Sequence, residues 1–197
     1  MQELERKLKN HKLLLGSKSP RRRNLLREAG FKFEILPAIE TDETFPADMP
    51  HTEVPVYLAE EKAKVYAHYI TSNEIIITAD TIVSLNNEIL GKPVDIDDAK
   101  ALLQKISGNC HEVVSGVCIS SLSNKKKFNA ITKVYFKDLT TSEIDYYLKH
   151  YKPLDKAGAY GIQEWIGYIG VKAIEGSFYN VMGLPIQKLY SELINFF

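Results

Sequence analysis

Short apolar runs alternate along the chain with stretches in which apolar residues recur at helical spacing. This pattern predicts an α/β chain with a mixed sheet. The apolar runs predict strands at 13–15, 31–36, 74–78, 82–85, 88–90, 113–120 and 130–136. The helical spacings predict helices at 20–29, 55–69, 95–106, 140–150 and 184–196, and a short, weakly anchored helix within 1–10. Residues 37–54 form a loop, and 158–183, with six of the eleven glycines, predict turns and close backbone approaches.

Capping residues fix several helix boundaries. Ser19 stands in the N-cap position before Pro20, which suits the first turn of a helix. Asp95 caps the fourth predicted helix in the same way. Thr140 and Glu143 have the spacing of a capping box, so a helix begins at this point.

Composition predicts a single globular domain in a reducing cytoplasm. The 197 residues are 45% hydrophobic and 25% charged, and 25 basic side chains balance 25 acidic ones. A neutral chain argues against a general nucleic-acid or membrane-surface binder, so neither partner is expected. No apolar run approaches the roughly 18 residues of a membrane span, and the two cysteines lack metal-type or redox-type spacing. The lysine run at 125–127 is interpreted as a solvated hairpin tip.

A basic segment at 16–23, with the sequence Gly-Ser-Lys-Ser-Pro-Arg-Arg-Arg, is the first candidate for chemistry. Three arginines in the first turn of a helix are unfavourable beside the positive end of the helix dipole, unless an anion binds there. A strand, a Ser/Gly loop and a helix N-terminus in this order form a recurrent phosphate cradle. The alternative is an exposed basic turn. The segment does not match the P-loop pattern of ATP-driven motors and kinases.

Five further residues have both a functional and a structural interpretation. Asp80 directly follows a predicted buried strand, where open α/β folds place reactive groups, but it could be a turn residue. Lys92 and Lys62 could bind phosphate or be solvated charges. Gln163 lies in a glycine-containing string and offers a donor and an acceptor to a base edge, or belongs to a structural turn. Glu43, in an acidic loop, could bind Mg²⁺.

Other candidates are set aside. The five histidines never fall at metal-ligand spacing, which argues against zinc. Cys110 and Cys118 suit strand or core positions better than a nucleophile, and Trp165 suits packing or a loop lid. The remaining set of cations, carboxylates and an amide corresponds to the parts of a nucleoside triphosphate site. A metal and a carboxylate there can activate water for in-line attack on phosphorus.

A series of motifs occurs in order along the chain. They are Ser17-Lys18-Ser19-Pro20-Arg21-Arg22, Asp42-Glu43, Lys62-Ala63, Ala79-Asp80-Thr81-Ile82-Val83, Gly91-Lys92-Pro93, Ser107-Gly108 with His111 and Val113, Asp155-Lys156-Ala157-Gly158-Ala159-Tyr160-Gly161-Ile162-Gln163, and Gly183-Leu184-Pro185. Together they span about residues 12–197 and resemble the Maf family of nucleoside triphosphate pyrophosphatases, historically called septum formation inhibitors.

The resemblance implies a fold and an activity. The expected fold is an elongated, ITPase-like α/β structure with a mixed, curved sheet, flanking helices and two lobes around a deep cleft. Residues 1–197 would form one domain, with 1–11 as an N-terminal extension, often in a homodimer. Family members cleave a nucleoside triphosphate between the α and β phosphates (EC 3.6.1.9). The products are the monophosphate and pyrophosphate, and the reaction uses a divalent cation such as Mg²⁺ or Mn²⁺.

The resemblance also implies roles for individual residues. Asp80 matches the proton acceptor that activates water. Asp80 and Glu43 match positions that hold the metal. Phosphate-binding positions are matched by Ser17, Arg21, Arg22, Lys62 and Lys92. Positions linked to substrate choice are matched by Arg21, Thr81 and Gln163.

The motifs resemble those of the subgroup that acts on dTTP, UTP and modified uridine nucleotides. This resemblance implies a role in nucleotide-pool sanitation. The chain departs from the family where Glu164 and Trp165 follow Gln163 in place of small residues, and where Ser115 replaces a common threonine. Two alternatives stay open: a pyrophosphatase of purine analogues such as ITP or XTP, and a non-catalytic nucleotide-binding regulator of cell division. Asp80 favours the catalytic interpretation. A protein that only binds nucleotide has no need of a carboxylate beside the polyphosphate, because the carboxylate repels the ligand unless a metal lies between them.

Overall fold

The computed structural model describes residues 2–197 as an open seven-stranded sheet with flanking helices. The strands are β1 Lys12–Leu15, β2 Glu34–Ile35, β3 Glu74–Leu85, β4 Glu88–Leu90, β5 Cys110–Ser120, β6 Lys125–Phe136 and β7 Val171–Glu175. The helices are α1 Gln2–Lys7, α2 Pro20–Glu28, α3 Val54–Val65, α4 Ile96–Ile106, α5 Thr141–Tyr151, α6 Trp165–Gly170, α7 Phe178–Val181 and α8 Ile186–Ile194. The predicted α/β class is confirmed.

The sheet is mixed, as the pattern predicts. Its strand order is β2-β1-β3-β5-β6-β7, with β4 paired to β3 outside that path. Strand β1 runs parallel to both β2 and β3, and Leu15 lies opposite Ile77 of β3. The β3–β4 and β6–β7 pairs are antiparallel. Parallel pairing of β1 and β3 brings the ends of these two strands to the same sheet edge.

The predicted caps form. The Ser19 hydroxyl accepts a hydrogen bond from the Arg22 backbone N–H at 3.4 Å, and the Asp95 carboxylate caps α4 in the same way. The capping box of Thr140 and Glu143 is complete at the start of α5. Helix α1 is short as predicted, but the expectation of weak anchoring is wrong. Leu4 is only 1% exposed, and α1 packs against α8.

Asp80 lies inside a strand, and the prediction that it follows the end of one is wrong. Strand β3 continues without interruption from Glu74 to Leu85. The reason is the hairpin that follows, because Val83 pairs with Leu90 of β4 and keeps the chain extended beyond Asp80. The hairpin turns through two asparagines with positive φ, which this residue type tolerates well.

The prediction that the lysine run forms a hairpin tip is also wrong. Residues 125–127 begin β6, and the hairpin tip lies at 121–124. The Nζ atoms of Lys125 and Lys127 lie 3.1 and 2.7 Å from the Glu60 carboxylate, and Lys126 pairs with Glu192. The hydrogen bond from Lys127, followed by that from Lys125, lowers the pKa of Glu60. Neutralised charges allow a lysine run to occupy a strand. The strand predicted at 31–36 shortens to β2.

The chain forms two compact units. The first contains residues up to Asp80, with 115–130 and 183–197, and the second contains 81–114 and 131–182. The dividing points fall within β3, β5 and β6. In the first unit, Leu14, Tyr66 and Ile76 belong to one apolar cluster. In the second, α4 and α5 pack on the sheet around residues such as Phe136. Across residues 2–197, every helix is too short or too polar to traverse a bilayer.

His111 is a buried histidine in the second unit whose protonation opposes folding. Its Nε2 lies 2.7 Å from the Tyr160 hydroxyl, and its ring contacts Phe136. Burial lowers the pKa of His111 to about 4. An unfolded histidine has a pKa near 6.5, so between these values the unfolded chain binds a proton that the folded chain does not. The stabilisation by neutral His111 is therefore complete above about pH 6.5 and is lost as the pH falls towards 4.

This linkage predicts a measurable pH dependence. Between pH 7 and 5, His111 is expected to lower the free energy of unfolding by about 2 kcal/mol. A His111→Gln variant lacks this titration, so its loss over the same range is expected to be smaller by that amount. Urea unfolding of both proteins at the two pH values measures the difference. Equal losses in the two proteins would contradict the assignment.

Candidate active site

The loop between β1 and α2 is pressed against β3. The Gly16 backbone N–H donates to the Ile77 carbonyl at 2.9 Å. A Cβ atom at this position would lie 2.7 Å from carbon atoms of the Tyr66 ring and 3.0 Å from Thr78 Cγ2, so only glycine fits without rearrangement. The loop delivers Ser17, which is 8% exposed, to the N-terminal end of α2. This is the strand–loop–helix arrangement that the basic segment predicts.

Arg22 ties this loop to two distant parts of the first unit. Its Nε donates to the Gly183 carbonyl and its Nη1 to the Ala79 carbonyl, both at 2.8 Å. Nη1 also lies 3.5 Å from the Ser17 hydroxyl. The Ala79 carbonyl belongs to the residue before Asp80, so the guanidinium holds the backbone of β3 at this point. Arg22 therefore has a positioning role in addition to any contact with phosphate.

The charges around Arg22 are balanced by carboxylates. Burial lowers the pKa of Arg22, while the charges of Asp80 and Glu43 oppose that effect and the charge of Arg21 adds to it. Arginine remains protonated in proteins even after such a shift. Arg21 is half-buried in the first turn of α2. The first turn of α2 thus places Arg21 and Arg22 next to each other at a helix N-terminus.

Lys62 connects the two predicted acids. Its Nζ lies 2.5 Å from Asp80 Oδ1 and 2.9 Å from Glu43 Oε1. The Lys62 and Asp80 side chains are 15% and 14% exposed, which strengthens the interaction relative to a surface ion pair. Helix α3 is held close to β3 by a hydrogen bond of 2.6 Å from the buried Thr78 hydroxyl to the Ala59 carbonyl. Lys62 lies three residues after Ala59 and so faces Asp80.

The structure brings together Ser17, Arg22, Glu43, Lys62 and Asp80 in the first unit. Three other predicted residues belong to the second unit. Thr81 is half-buried in β3, Lys92 is exposed after β4, and Gln163 is half-buried in the turn before α6. Their participation in the same site stays a prediction.

Comparisons with known proteins show the family of this chain. A family model described as "Maf-like protein" matches residues 12–196. The chain belongs to the Maf family. A Phocaeicola vulgatus protein named dTTP/UTP pyrophosphatase is 51% identical over 188 residues, covering 94% of this chain and 96% of the relative. A Parabacteroides distasonis protein of the same name is 49% identical over 189 residues, covering 96% and 98%.

Solved structures show a more distant similarity, as one example illustrates. The nucleoside-triphosphatase / dITP/XTP pyrophosphatase from Mycobacterium abscessus has a TM-score of 0.44 and 12% identity. The alignment covers 93% of this chain and 92% of that one. A similarity at this level carries no functional argument.

The residues of this Maf chain suit a divalent cation held jointly with substrate. Glu43 and Asp80 both contact the Lys62 ammonium, so their carboxylates converge on one positive charge. Among residues 2–197, no group of three or more His, Cys, Asp or Glu side chains is arranged as a metal site. Mg²⁺ usually takes one or two carboxylates and completes its shell with water and substrate phosphates. Two converging carboxylates fit that donor set.

One group of contacts in the second unit was not predicted from the sequence. The Tyr147 hydroxyl donates to Glu164 Oε2, and Lys156 Nζ lies 3.2 Å from Glu164 Oε1. The departure of Glu164 from the family pattern is the only sequence signal that points to this contact. Tyr147 gives none, because its helical spacing is that of an ordinary core residue. Burial, with a contribution from Glu164, raises the pKa of Tyr147.

Proposed function

We propose that this Maf-family chain is a nucleoside triphosphate pyrophosphatase that hydrolyses dTTP and UTP, including modified uridine triphosphates. The products are the nucleoside monophosphate and pyrophosphate (EC 3.6.1.9), and the cellular role is nucleotide-pool sanitation. The observation that carries the proposal is the Asp80 carboxylate, held 2.5 Å from Lys62 and beside the arginine-bearing loop. The names of relatives about half identical over nearly their full length support the choice of substrate.

Asp80 is proposed as the proton acceptor. It takes a proton from water as the water oxygen attacks the α phosphorus in line. The bond between the α phosphorus and the oxygen that bridges the α and β phosphates breaks. The pyrophosphate leaves with the bonding electron pair. Asp80 is suited to this step because Lys62, together with the backbone contact of Arg22 at Ala79, fixes its position.

The cations are proposed to bind the triphosphate. The loop hydroxyl of Ser17, the guanidinium groups of Arg21 and Arg22, and the ammonium groups of Lys62 and Lys92 would neutralise its charge. An ammonium has three N–H donors, so Lys62 can donate to a phosphate oxygen and still contact a carboxylate.

Glu43 and Asp80 would hold the divalent cation, Mg²⁺ or Mn²⁺. When bound, the cation would neutralise phosphate charge and make water more acidic. Lys62 occupies the space between the two carboxylates in this structure, so it would shift towards the phosphates as the cation is bound. The divalent cation would then take the place of the Lys62 ammonium between Glu43 and Asp80, so the negative charge of the two carboxylates would stay compensated.

Base choice is assigned to Arg21, Thr81 and Gln163. The Gln163 amide offers one acceptor and two donors, which suits the imide edge shared by uracil and thymine. The proposal also includes a single domain over 1–197, with 1–11 as an extension, a homodimer, and a cytoplasmic location. Light scattering coupled to gel filtration tests the dimer.

A product assay tests the activity. The full chain is expected to convert dTTP and UTP to monophosphate and pyrophosphate with Mg²⁺ or Mn²⁺, and EDTA is expected to abolish turnover. CTP, ITP and 7-methyl-GTP are expected to be poorer substrates. Chromatography identifies the products and separates pyrophosphate release from stepwise loss of phosphate. Preference for ITP would favour the purine alternative, and binding without turnover would favour the non-catalytic one.

A further inference from the structure

The residues around the proposed base-recognition residue Gln163 form a tight turn. The Glu164 N–H donates to the Gly161 carbonyl at 2.9 Å, which closes a four-residue turn with Ile162 and Gln163 at its centre. Ile162 is buried and Gln163 is half-buried. A Cβ atom on Gly167 would lie 1.8 Å from the Ile162 carbonyl oxygen, so α6 packs directly on this turn. The backbone of Gln163 is therefore set by the two ends of the turn.

A single phenol holds both ends. The Tyr147 hydroxyl, from α5, accepts a hydrogen bond from the Gly161 N–H at 3.0 Å and donates to Glu164 Oε2. Tyr147 is fully buried, so its bond from the Gly161 N–H forms away from competing water. A Cβ atom at position 161 would lie only 2.7 Å from the Glu164 carboxyl carbon. The side chain of Glu164 thus folds back over the beginning of its own turn.

A second contact holds the other carboxylate oxygen. Lys156 Nζ lies 3.2 Å from Glu164 Oε1 and 2.7 Å from Asp155 Oδ1. The Lys156 side chain is 10% exposed, so its charge depends on these carboxylates for compensation. Both oxygens of Glu164 are engaged, one by a phenol and one by an ammonium. This arrangement leaves the carboxylate little freedom to rotate.

We infer that Glu164, held by Tyr147 and Lys156, is a positioning residue that fixes the turn carrying Gln163 and thereby sets discrimination between nucleobases. The inference rests on the proposed function, because it assigns a specificity role within that reaction. Glu164 itself is engaged with the protein and acts through Gln163. A rigid amide discriminates between bases better than a mobile one, since a mobile amide can adapt to a wrong hydrogen-bonding edge.

The first experiment compares Glu164→Ala with the wild-type protein on a panel of nucleotides. The variant is expected to raise KM for dTTP and UTP about tenfold and to leave kcat within about twofold, because the reacting groups lie in another part of the chain. The preference for UTP over CTP, as a ratio of kcat/KM, is expected to fall about tenfold. Gln163→Ala is expected to change the preference in the same direction.

Two further variants separate positioning from general damage. Glu164→Gln keeps the size of the side chain but cannot satisfy both the phenol and the ammonium, so about a threefold loss of preference is expected. The double variant Tyr147→Phe with Glu164→Ala is expected to lower the nucleotide preference little more than the larger single change, because both changes act on one turn. Asp145→Asn is the matched control. It removes the carboxylate of an α5 residue from an exposed ion pair with Lys100 of α4, and is expected to change neither the kinetics nor the nucleotide preference.

Hydrogen exchange of the free protein completes the test. Amide exchange at Gly161 and Glu164 is expected to be about tenfold faster in Glu164→Ala than in the wild type. Unchanged exchange, an unchanged nucleotide preference, or an equal fall of kcat for every nucleotide would overturn the inference. If the wild-type protein hydrolyses no triphosphate, the proposed function fails and the specificity role falls with it, while the exchange result still reports whether Glu164 holds the turn.

Discussion

Asp80→Asn is expected to lower kcat about a thousandfold while nucleotide binding survives. The amide keeps the size of the carboxylate but cannot accept the proton of the attacking water. Binding is expected to persist, and in the absence of metal to tighten, because the change removes a negative charge beside the triphosphate. Turnover of dTTP gives the rate. Calorimetric titration with a dTTP analogue that carries a methylene group between the α and β phosphates gives the affinity.

Asp42→Asn serves as the control for this experiment. Asp42 is an exposed acid, and its carboxylate accepts a hydrogen bond from the Thr44 backbone N–H at 3.1 Å, so its loss is expected to leave kcat unchanged. Retention of more than a tenth of the wild-type kcat in Asp80→Asn would remove Asp80 from the role of proton acceptor. Equal losses in both variants would indicate a general requirement for acidic charge in the region.

Arg22→Lys is expected to destabilise the nucleotide-free protein by about 3 kcal/mol, since two hydrogen bonds from a charged donor are lost and a lysine can restore only part of them. The charge is conserved, so a role limited to phosphate binding predicts almost no change in stability. The backbone at Ala79 also loses its donor, and kcat/KM is expected to fall because Asp80 is the next residue. Urea unfolding without nucleotide and steady-state kinetics measure the two effects.

Arg27→Lys is the matched control on the same helix. Arg27 is exposed and donates to the Asn24 side chain at 3.4 Å, so the same substitution is expected to change stability by less than about 0.5 kcal/mol. A stability of Arg22→Lys equal to that of this control would show that the contacts to Gly183 and Ala79 do not stabilise the fold.

Local rules predicted the parts of the fold that depend on neighbouring residues. The caps at Ser19, Asp95 and Thr140 formed because each satisfies backbone N–H groups within three residues. The pattern failed where a polar residue lies inside a strand. Asp80 interrupts an apolar run, yet pairing with β4 keeps the strand extended. It also failed where a partner lies far along the chain. The lysines at the start of β6 depend on Glu60, which lies more than sixty residues earlier.

The candidate site shows the same division. The loop before α2 was recognisable from its own residues, because a phosphate cradle is a local arrangement. Lys62 was not, since a lone lysine on a helix is by default a solvated charge and its carboxylate partners lie 18 and 19 residues away. The link between Tyr147 and Glu164 joins two elements 17 residues apart and has no periodic signature. Only the fold places these side chains together.

The bond from Arg22 to the Gly183 carbonyl has a consequence for how the protein matures on the ribosome. The two residues are 161 positions apart in a chain of 197. Synthesis proceeds at about 5–20 residues per second, so Arg22 emerges many seconds before its partner exists. During that interval the guanidinium has the Ala79 carbonyl but lacks the second of its two backbone acceptors. Nascent chains that stop short of Gly183 would therefore hold the loop before α2 only through its contacts with β3, however well their early helices have formed.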